Sequence, residues 1–139
     1  MYKKELFRKL DQKHDSHLYS GIQGFFIKNG HRQLENFKKK NEHLSKILEI
    51  GAGSTPHYSF IKHTYDEYHI VETSDYAIDY HKDNKKVKLT KYDGKNLPYG
   101  NETFDRIVIS HCLEHILCPE DFLNEMMRVL KKNGVLSIS

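Results

Sequence analysis

The stretch Ile47-Leu48-Glu49-Ile50-Gly51-Ala52-Gly53 decides the fold class of this 139-residue chain. A short apolar run that stops at a glycine is typical of a buried strand in a parallel sheet. Two glycines two positions apart let the backbone turn sharply and come close to a ligand. Because glycine turns after strands are common, this signal needs support from the segments around it.

Strand-like and helical segments alternate after the glycine turn. Strands are predicted at 68–72, 87–92, 106–110 and 135–138, and helices at about 56–63, 74–82 and 120–130. The last helix has a predicted core face at Met126, Met127, Val129 and Leu130 and a predicted stop at Gly134, which follows Lys131 and Lys132. This alternation predicts an α/β fold, a doubly wound, mostly parallel sheet whose ligand lies at the carboxyl ends of the strands.

Residues 1–45 differ from the rest, and we expect them to form an N-terminal helical extension packed on a domain that covers 46–139. A helix is predicted over 2–13, turn residues over 15–24 with Gly21 and Gly24 as breakers, and an exposed helix over 31–44. Tyr19, Gly21 and the pair Phe25-Phe26 are candidate lid elements, since aromatic side chains there can close over a ligand. Plain packing of these residues on the sheet is the alternative.

Composition excludes several function classes. Hydrophobic residues make up 37% of the chain, the mean hydropathy is −0.73, and the net charge is +3. No apolar run is long enough to span a membrane, and the first ten residues do not resemble a signal peptide. The basic residues are scattered in small clusters, unlike the single basic face of nucleic-acid binders. We therefore expect a cytoplasmic protein without nucleic-acid or membrane partners, with Cys112 and Cys118 as reduced thiols.

An acidic residue ends the second predicted strand. Glu72 follows the glycine turn by about 20 residues, the place at which a carboxylate accepts hydrogen bonds from ribose hydroxyls. Thr73 comes next, and Ser74 is suited to cap the following helix. Asp75 is the competing acid for the ribose contact, and a solvated charge at a strand end is the other alternative.

The third predicted strand ends in a second acid, at Asp93-Gly94. A carboxylate there suits the exocyclic amine of adenine, and Leu97 is expected to supply an apolar wall for the ring. A turn-forming Asp-Gly is the alternative for this pair alone. Because the carboxyl ends of parallel strands meet at one edge, the glycine turn and the two acids are expected to converge into a nucleoside site.

These motifs, taken in order, resemble the class I methyltransferases that use S-adenosylmethionine, over roughly 46–139. Leu48-Glu49-Ile50-Gly51-Ala52-Gly53 resembles the first motif of that family, Phe104-Asp105-Arg106 through Leu113-Glu114-His115 its fourth strand and following turn, and Arg128 through Gly134 its approach to the fifth strand. The resemblance implies S-adenosylmethionine as cofactor, and it implies the cofactor-binding residues Glu49, Gly51, Ala52, Gly53, Glu72, Thr73, Asp93, Gly94, Ser110 and His111.

Two features depart from the family pattern. Thr55 stands where the family often has a third glycine, and Pro56 after it is suited to a helix start. The family fold continues beyond the fifth strand with two more strands, whereas this sequence stops at Ser139. An uncovered fifth strand would be an aggregation-prone edge, so we expect a partner or a further chain segment to cover it.

The resemblance also suggests a chemistry. Methyl transfer from a sulfonium is a direct displacement, which needs the nucleophile held in line with the methyl group. His111, at the tip of the fourth strand, is the candidate general base, with a pocket-lining role as the alternative. The motif Ser110-His111-Cys112-Leu113 differs from the Asn-Pro-Pro-Tyr of nucleobase and amide methyltransferases, which argues against those activities. A small-molecule acceptor is expected because the resemblance is to the broad group of small-molecule enzymes and because the sequence has no nucleic-acid or membrane feature.

Three alternatives stay open. Zinc ligation by His111, Cys112, His115 and Cys118 lacks Cys-x-x-Cys spacing, so no metal is expected. A nicotinamide-dependent oxidoreductase would need a glycine where this chain has Pro56. The third alternative is a non-catalytic methyltransferase-like binding module, or a fragment of a larger biosynthetic protein.

Overall fold

A computed structural model, which describes residues 21–36 and 42–139, contains five strands in a single sheet. They are β1 (Leu44–Ile50), β2 (Tyr65–Glu72), β3 (Lys88–Lys91), β4 (Phe104–Ile109) and β5 (Leu130–Ile138). The order across the sheet is β3-β2-β1-β4-β5, and all four neighbouring pairs are parallel. The predicted doubly wound parallel sheet is therefore confirmed. The chain reverses its direction of travel across the sheet between β1 and β4, and this switch point is where such folds bind ligands.

The central strands are apolar because both of their faces are covered. Ile47, Leu48 and Ile50 of β1 and Ile107 and Ile109 of β4 are fully buried. On one face, a core cluster joins Leu48, Ile50, Val71, Ile107 and Ile109 to Phe122, Met126 and Val129 of the last helix. On the other face, a smaller cluster contains Ile47, Tyr68, Ile70 and Val108. Near-continuous apolar strands between two covering layers are the expected pattern of a parallel sheet.

In the described ranges, three helices flank the sheet: α1 (Gly21–Leu34), α2 (Asp75–His81) and α3 (Pro119–Val129). As predicted, Ser74 caps α2, its hydroxyl accepting a hydrogen bond from the Tyr76 N–H at 3.2 Å. Of the predicted core face, Met126, Val129 and Leu130 are buried, whereas Met127 is 58% exposed, because each residue turns the helix by about 100°. Among the described helices, none has the length and hydropathy needed to cross a membrane.

The N-terminal predictions are corrected where the structure describes them. Gly24 is buried inside α1 instead of breaking it, and the helix ends at Leu34. The exposed helix predicted over 31–44 is therefore wrong: His31 is buried, and Leu44 opens β1. Tertiary packing overrides the cost of about 1 kcal/mol for a glycine within a helix. The helix predicted over 2–13, Tyr19 and the turn over 15–20 lie outside the described residues.

Two further segments differ from prediction. The helix expected over 56–63 is a single 3₁₀ turn (His57–Phe60), bounded by extended residues at Pro56 and Ile61. The last helix ends at Val129, so Gly134 is not its stop. Instead, the register between β4 and β5 shifts at this point: Phe104 pairs with Leu130, and Arg106 pairs with Val135, which makes a bulge in β5. Gly134 sits in this bulge, where a Cβ atom would lie 2.6 Å from Leu130 Cδ1, so the bulge closes only around a glycine.

Candidate functional site

The glycine turn after β1 has the conformation that glycine alone adopts easily. Gly51 and Gly53 have φ values of +69° and +52°, in the left-handed region. The Gly51 N–H donates to the Val71 carbonyl at 3.1 Å, which holds the turn beside β2. A Cβ atom on Gly51 would lie 2.6 Å from Cys112 Sγ, so the thiol of the turn after β4 packs directly over the glycine. Ala52 is buried in the smaller core cluster.

Two side chains hold the second glycine of the turn. The Glu72 carboxylate accepts a hydrogen bond from the Gly53 N–H at 2.7 Å, and Glu72 is only 5% exposed. On the other side, His81 Nε2 lies 2.7 Å from the Gly53 carbonyl and donates to it. The structure thus brings together the glycine turn and the acid that the sequence placed at the end of β2. His81 was missed, because a histidine within a short helix carries no motif signal.

The acid after β3 reaches the same edge of the sheet. Gly94, with φ of +82°, lies close to Thr73, since a Cβ atom there would be 3.5 Å from Thr73 Cγ2. The exposed Asp93 carboxylate accepts hydrogen bonds from the N–H groups of Lys95 and Asn96, at 2.8 and 3.0 Å. These hydrogen bonds lower the pKa of the Asp93 carboxyl. They also show that Asp93 stabilises the turn that follows it, as the alternative interpretation of Asp93-Gly94 expected.

Leu97 does not lie where the sequence suggested. It is only 3% exposed and belongs to the larger core cluster, so the expected apolar wall for an adenine ring is absent at this position. Its N–H donates to Glu125 at 3.1 Å, which ties the segment after β3 to α3. The physical reason is that the Leu97 side chain loses more of its contact with water in the core than it would at the edge of an open site, and burial of apolar surface is favourable.

The turn after β4 is strained at His111. This residue has φ of +52°, a conformation that costs a non-glycine residue about 1–2 kcal/mol. A backbone hydrogen bond from the His111 N–H to the Ser139 carbonyl, at 3.0 Å, holds it there, and Ser110 Oγ pairs with Ser139 Oγ at 2.8 Å. The His111 side chain is exposed, and its ring meets that of His31 on α1 edge-on, with centroids 6.3 Å apart. Within residues 21–36 and 42–139, no three His, Cys, Asp or Glu side chains are arranged to hold a metal ion.

Glu49 lies beneath the glycine turn and faces the core. It is 1% exposed, and its two carboxylate oxygens accept hydrogen bonds from the His57 N–H at 2.7 Å and from the Tyr68 hydroxyl at 2.8 Å. Burial raises the pKa of Glu49 to about 7. The geometry therefore makes Glu49 a support for the segment that leaves the turn, with both oxygens engaged inside the protein.

Protonation of Glu49 is expected to appear in the pH dependence of stability. Since its pKa is about 7 in the folded state against an ordinary 4.5, its stabilising contribution is complete below pH 4.5 and is lost as the pH rises to about 7. That difference corresponds to about 3 kcal/mol. Urea unfolding from pH 4.5 to 8 should show Glu49→Gln gaining about 3 kcal/mol relative to the wild type. If the difference in unfolding free energy between Glu49→Gln and the wild type stayed constant with pH, the raised pKa of Glu49 would be contradicted.

A buried ion pair lies behind the site, where α1 meets the sheet. Arg106 of β4 is fully buried and donates through Nη1 to Glu35 at 2.5 Å, through Nη2 to the Leu34 carbonyl at 2.9 Å, and through Nε to Ser137 Oγ at 3.1 Å. Glu35, also fully buried, accepts further bonds from His57 Nε2 at 2.8 Å and from the Lys62 N–H at 2.9 Å. Sequence reasoning missed this pair, although an arginine within an apolar strand is a signal that a buried partner is needed.

The comparison with protein families agrees with this geometry. Residues 48–138 match the family model of the methyltransferase domain. The chain belongs to that family. The match runs from β1 to the end of β5 and includes the glycine turn, both acidic strand tips and His111. The family resemblance inferred from the sequence is confirmed, and the match favours a methyltransferase domain over a nicotinamide-dependent oxidoreductase.

Short segments of curated methyltransferases align with this methyltransferase domain. Norajmaline N-methyltransferase of Rauvolfia serpentina is 42% identical over 45 residues, which are 32% of this chain and 15% of that protein. Demethylmenaquinone methyltransferase of Corynebacterium urealyticum is 38% identical over 56 residues, 40% of this chain and 24% of that protein. The aligned segments therefore span less than a quarter of each relative's length.

Solved structures show the same fold. A SAM-dependent methyltransferase from Thermotoga maritima superposes with a TM-score of 0.74 at 21% identity, covering 96% of this chain and 59% of that one. The trans-methyltransferase CalH, solved in complex with SAH, gives a TM-score of 0.61 at 19% identity, covering 88% of this chain and 41% of that one. The five-stranded parallel sheet of this domain therefore has the same fold as the matching region of these two structures.

Proposed function

We propose that this methyltransferase domain binds S-adenosylmethionine at the edge formed by the three strand tips and transfers its methyl group to a small molecule. The observation that carries the proposal is the hydrogen bond between the Gly53 N–H and Glu72, which joins the glycine turn to the acid that we assign to the ribose hydroxyls. The activities named for the aligned relatives support a small-molecule acceptor, and the neighbour solved with SAH supports the cofactor.

The residues present fit the chemistry of this cofactor. The turn at 51–53 brings backbone close to the edge, with left-handed glycines and a buried carboxylate beside them. A carboxylate offers about four acceptor positions, so a residue such as Glu72 can accept hydrogen bonds from ribose hydroxyls as well as from the Gly53 N–H. We assign the adenine amine to Asp93, the neighbouring contacts to Thr73, Gly94 and Ser110, and the positioning of the turn to Glu49.

When bound, S-adenosylmethionine supplies a methyl group that is already activated by the sulfonium charge. The protein then has to hold the acceptor in line with that methyl group and exclude water. A base is needed only for poorly acidic nucleophiles. We propose that His111 forms the wall of the acceptor side and takes the proton of a hydroxyl or amine acceptor.

We also propose that α1, within the expected extension over 1–45, borders the acceptor side of the domain over 46–139. The contacts that support this are the His31 ring beside His111 and the close approach of Gly30, where a Cβ atom would lie 3.6 Å from His111 Nε2. Phe25 and Phe26 on the same helix are 61% and 65% exposed, so they are available to an apolar acceptor.

Replacement of Glu72 tests the proposed function. By calorimetry, the wild type is expected to bind S-adenosylmethionine and not NAD. Glu72→Ala is expected to weaken this binding about 10- to 100-fold, because charge-assisted hydrogen bonds contribute about 1.5–3 kcal/mol. Glu72→Gln, which still offers the Gly53 N–H an oxygen acceptor, separates the ribose contact from the support of the turn.

The matched control is Glu67→Ala, which removes a carboxylate from the other end of β2 and should leave affinity within threefold. No binding of S-adenosylmethionine by the folded wild type would overturn the proposal. Unchanged affinity in Glu72→Ala, together with a loss in Asp75→Ala, would move the ribose contact to Asp75.

A further inference from the structure

We propose that Glu35 is a positioning residue of the cofactor site: through His57 it joins α1 to the segment that leaves the glycine turn, so the docking of α1 controls cofactor affinity. This inference rests on the proposed function, because it requires S-adenosylmethionine to bind at the turn over 51–53. It goes further by assigning a role in cofactor binding to a residue outside the family-matched segment, which begins at residue 48.

His57 is the physical link between the helix and the loop. It follows the glycine turn in the sequence and is fully buried. Its N–H donates to Glu49 of β1 at 2.7 Å, and its Nε2 donates to Glu35 at 2.8 Å. His57 therefore bridges Glu49 on the strand that leads into the glycine turn and Glu35, which follows α1, so we expect a displacement of Glu35 to shift the segment that leaves the turn.

The hydrogen bonds define the protonation of the histidines around Glu35. Because His57 Nε2 donates to Glu35, the Nδ1 atom of a neutral His57 is an acceptor, and the 3.0 Å contact with His31 Nδ1 requires the proton on His31. His63 Nε2 accepts from Arg106 at 3.1 Å, and its Nδ1 donates to the Thr64 carbonyl at 3.2 Å. Because burial lowers the pKa values of all three rings, each is neutral at pH 7, and Glu35 and Arg106 are the oppositely charged groups of this network.

Docking of α1 completes this network. Glu35 and the Leu34 carbonyl both come from the end of α1, and both bind the buried Arg106 guanidinium. Within the described part of the chain, every buried side-chain nitrogen and oxygen has a hydrogen-bond partner. Undocking of α1 would leave Arg106 and His57 without these partners, and unpaired buried charges are expensive. The helix is therefore expected to dock as a unit rather than to loosen gradually.

The same network makes docking sensitive to acid. Burial lowers the pKa of His31 to about 4, and it lowers the pKa of His57 and His63 as well. The titratable and charged groups that face His31 and His57 come from α1, β1, β4 and the loops beside them; they are Glu35, Glu49, His63, Arg106 and His111. A proton on His57 Nδ1 would oppose the His31 N–H and add charge beside Arg106, which favours undocking.

The direction of the pH effect follows from these values. Histidines with lowered pKa values stabilise the docked state fully above pH 6.5, and this contribution is lost as the pH falls towards 4. Over that range Glu35 stays ionised, because its hydrogen bonds to His57 and Arg106 hold its pKa near 2 against the opposing effect of burial. Glu49, whose pKa is about 7, already carries most of its proton at the upper end of this range, and it remains an acceptor for the His57 N–H.

The test measures the affinity of the full chain for S-adenosylmethionine together with hydrogen exchange of the amides over 21–36. Glu35→Gln is expected to weaken binding about tenfold or more at pH 7.0 and to accelerate exchange in α1, while circular dichroism shows a folded protein. The matched control is Glu67→Gln, since Glu67 also bonds to a histidine and a cation, His69 and Lys88, but its own side chain is partly exposed. It should leave both readouts within twofold.

A purely structural role for Glu35 would lower the melting temperature while leaving affinity and α1 exchange in the folded protein unchanged, and that result would overturn the inference. Should Glu35→Gln fail to fold, the wild type decides: between pH 7.0 and 5.0 its affinity should fall about tenfold, with the same midpoint as the fall in α1 protection factors, which correct the exchange rates for their intrinsic pH dependence. Constant affinity while α1 protection falls would overturn the inference alone. No binding by the wild type at any pH would instead remove the proposed function.

Discussion

Arg106→Met is expected to lower the free energy of unfolding by about 3–5 kcal/mol, because it leaves a buried carboxylate without its counter-charge. Arg106 and Glu35 are both fully buried, and Arg106 Nη1 lies 2.5 Å from Glu35 Oε1, so water cannot replace the lost partner. Methionine fills a similar volume without a charge, which separates the electrostatic effect from a cavity. Urea unfolding at pH 7, followed by circular dichroism, measures the change.

Two further variants serve as comparisons for Arg106→Met, one at a half-exposed ion pair and one that removes both buried charges. Lys131→Met removes a half-exposed ion pair with Asp105, joined at 2.8 Å, and pairs of this kind contribute about 0–1 kcal/mol. Glu35→Leu/Arg106→Met removes both buried charges and should recover part of the loss. If Arg106→Met cost no more than Lys131→Met, the buried pair would not hold α1 on the sheet.

Gly51→Ala is expected to have the second-largest effect, on stability and on cofactor binding together. A side chain at φ of +69° costs about 1–2 kcal/mol, and the new Cβ atom would lie 2.6 Å from Cys112 Sγ. Overpacking of this kind adds about 1–3 kcal/mol. Since relief of the clash moves the glycine turn away from Glu72, affinity for S-adenosylmethionine should fall at least tenfold, as calorimetry on the folded variant would show.

The control for this variant is Gly100→Ala, whose Cβ atom would meet only Thr103 Oγ1 at 3.8 Å, an ordinary contact. Its effect on stability should stay within about 0.5 kcal/mol, as for most surface substitutions. Adding Cys112→Ala to Gly51→Ala should recover the part of the loss that comes from the thiol and leave the part that comes from φ. No recovery would mean that the thiol does not constrain the turn.

The strands and the site edge were predictable because their signals are local. An apolar run such as Ile107-Val108-Ile109, bounded by turn residues and alternating with helical segments, is typical of a buried parallel strand, and the crossover rules then limit the possible sheet topologies. Once the strands are parallel, their carboxyl ends share one edge, so Gly53, Glu72 and Asp93 had to approach one another. The prediction of Leu97 as a wall at that edge was wrong, because its position depends on how the loop after β3 packs against α3.

Helix boundaries were less predictable, since they depend on partners far along the chain. Gly24 reads as a helix breaker, yet it is buried within α1. The segment over 56–63 has a helical pattern, but hydrogen bonds to Glu49 and Glu35 restrict it to one 3₁₀ turn at His57. Intrinsic propensity is a weak preference of less than about 1 kcal/mol per residue, which a few tertiary contacts outweigh.

By itself, the sequence determined the doubly wound parallel sheet, the methyltransferase family and the three strand tips of the candidate site, since each depends on neighbours within a few residues or on general chain topology. Only the tertiary structure decided what supports that site: His81 on Gly53, Cys112 over Gly51, and the pair of Glu35 and Arg106, which lie 71 residues apart. A charge in an apolar strand demands a partner, but nothing local specifies which one, because the partner is chosen by packing.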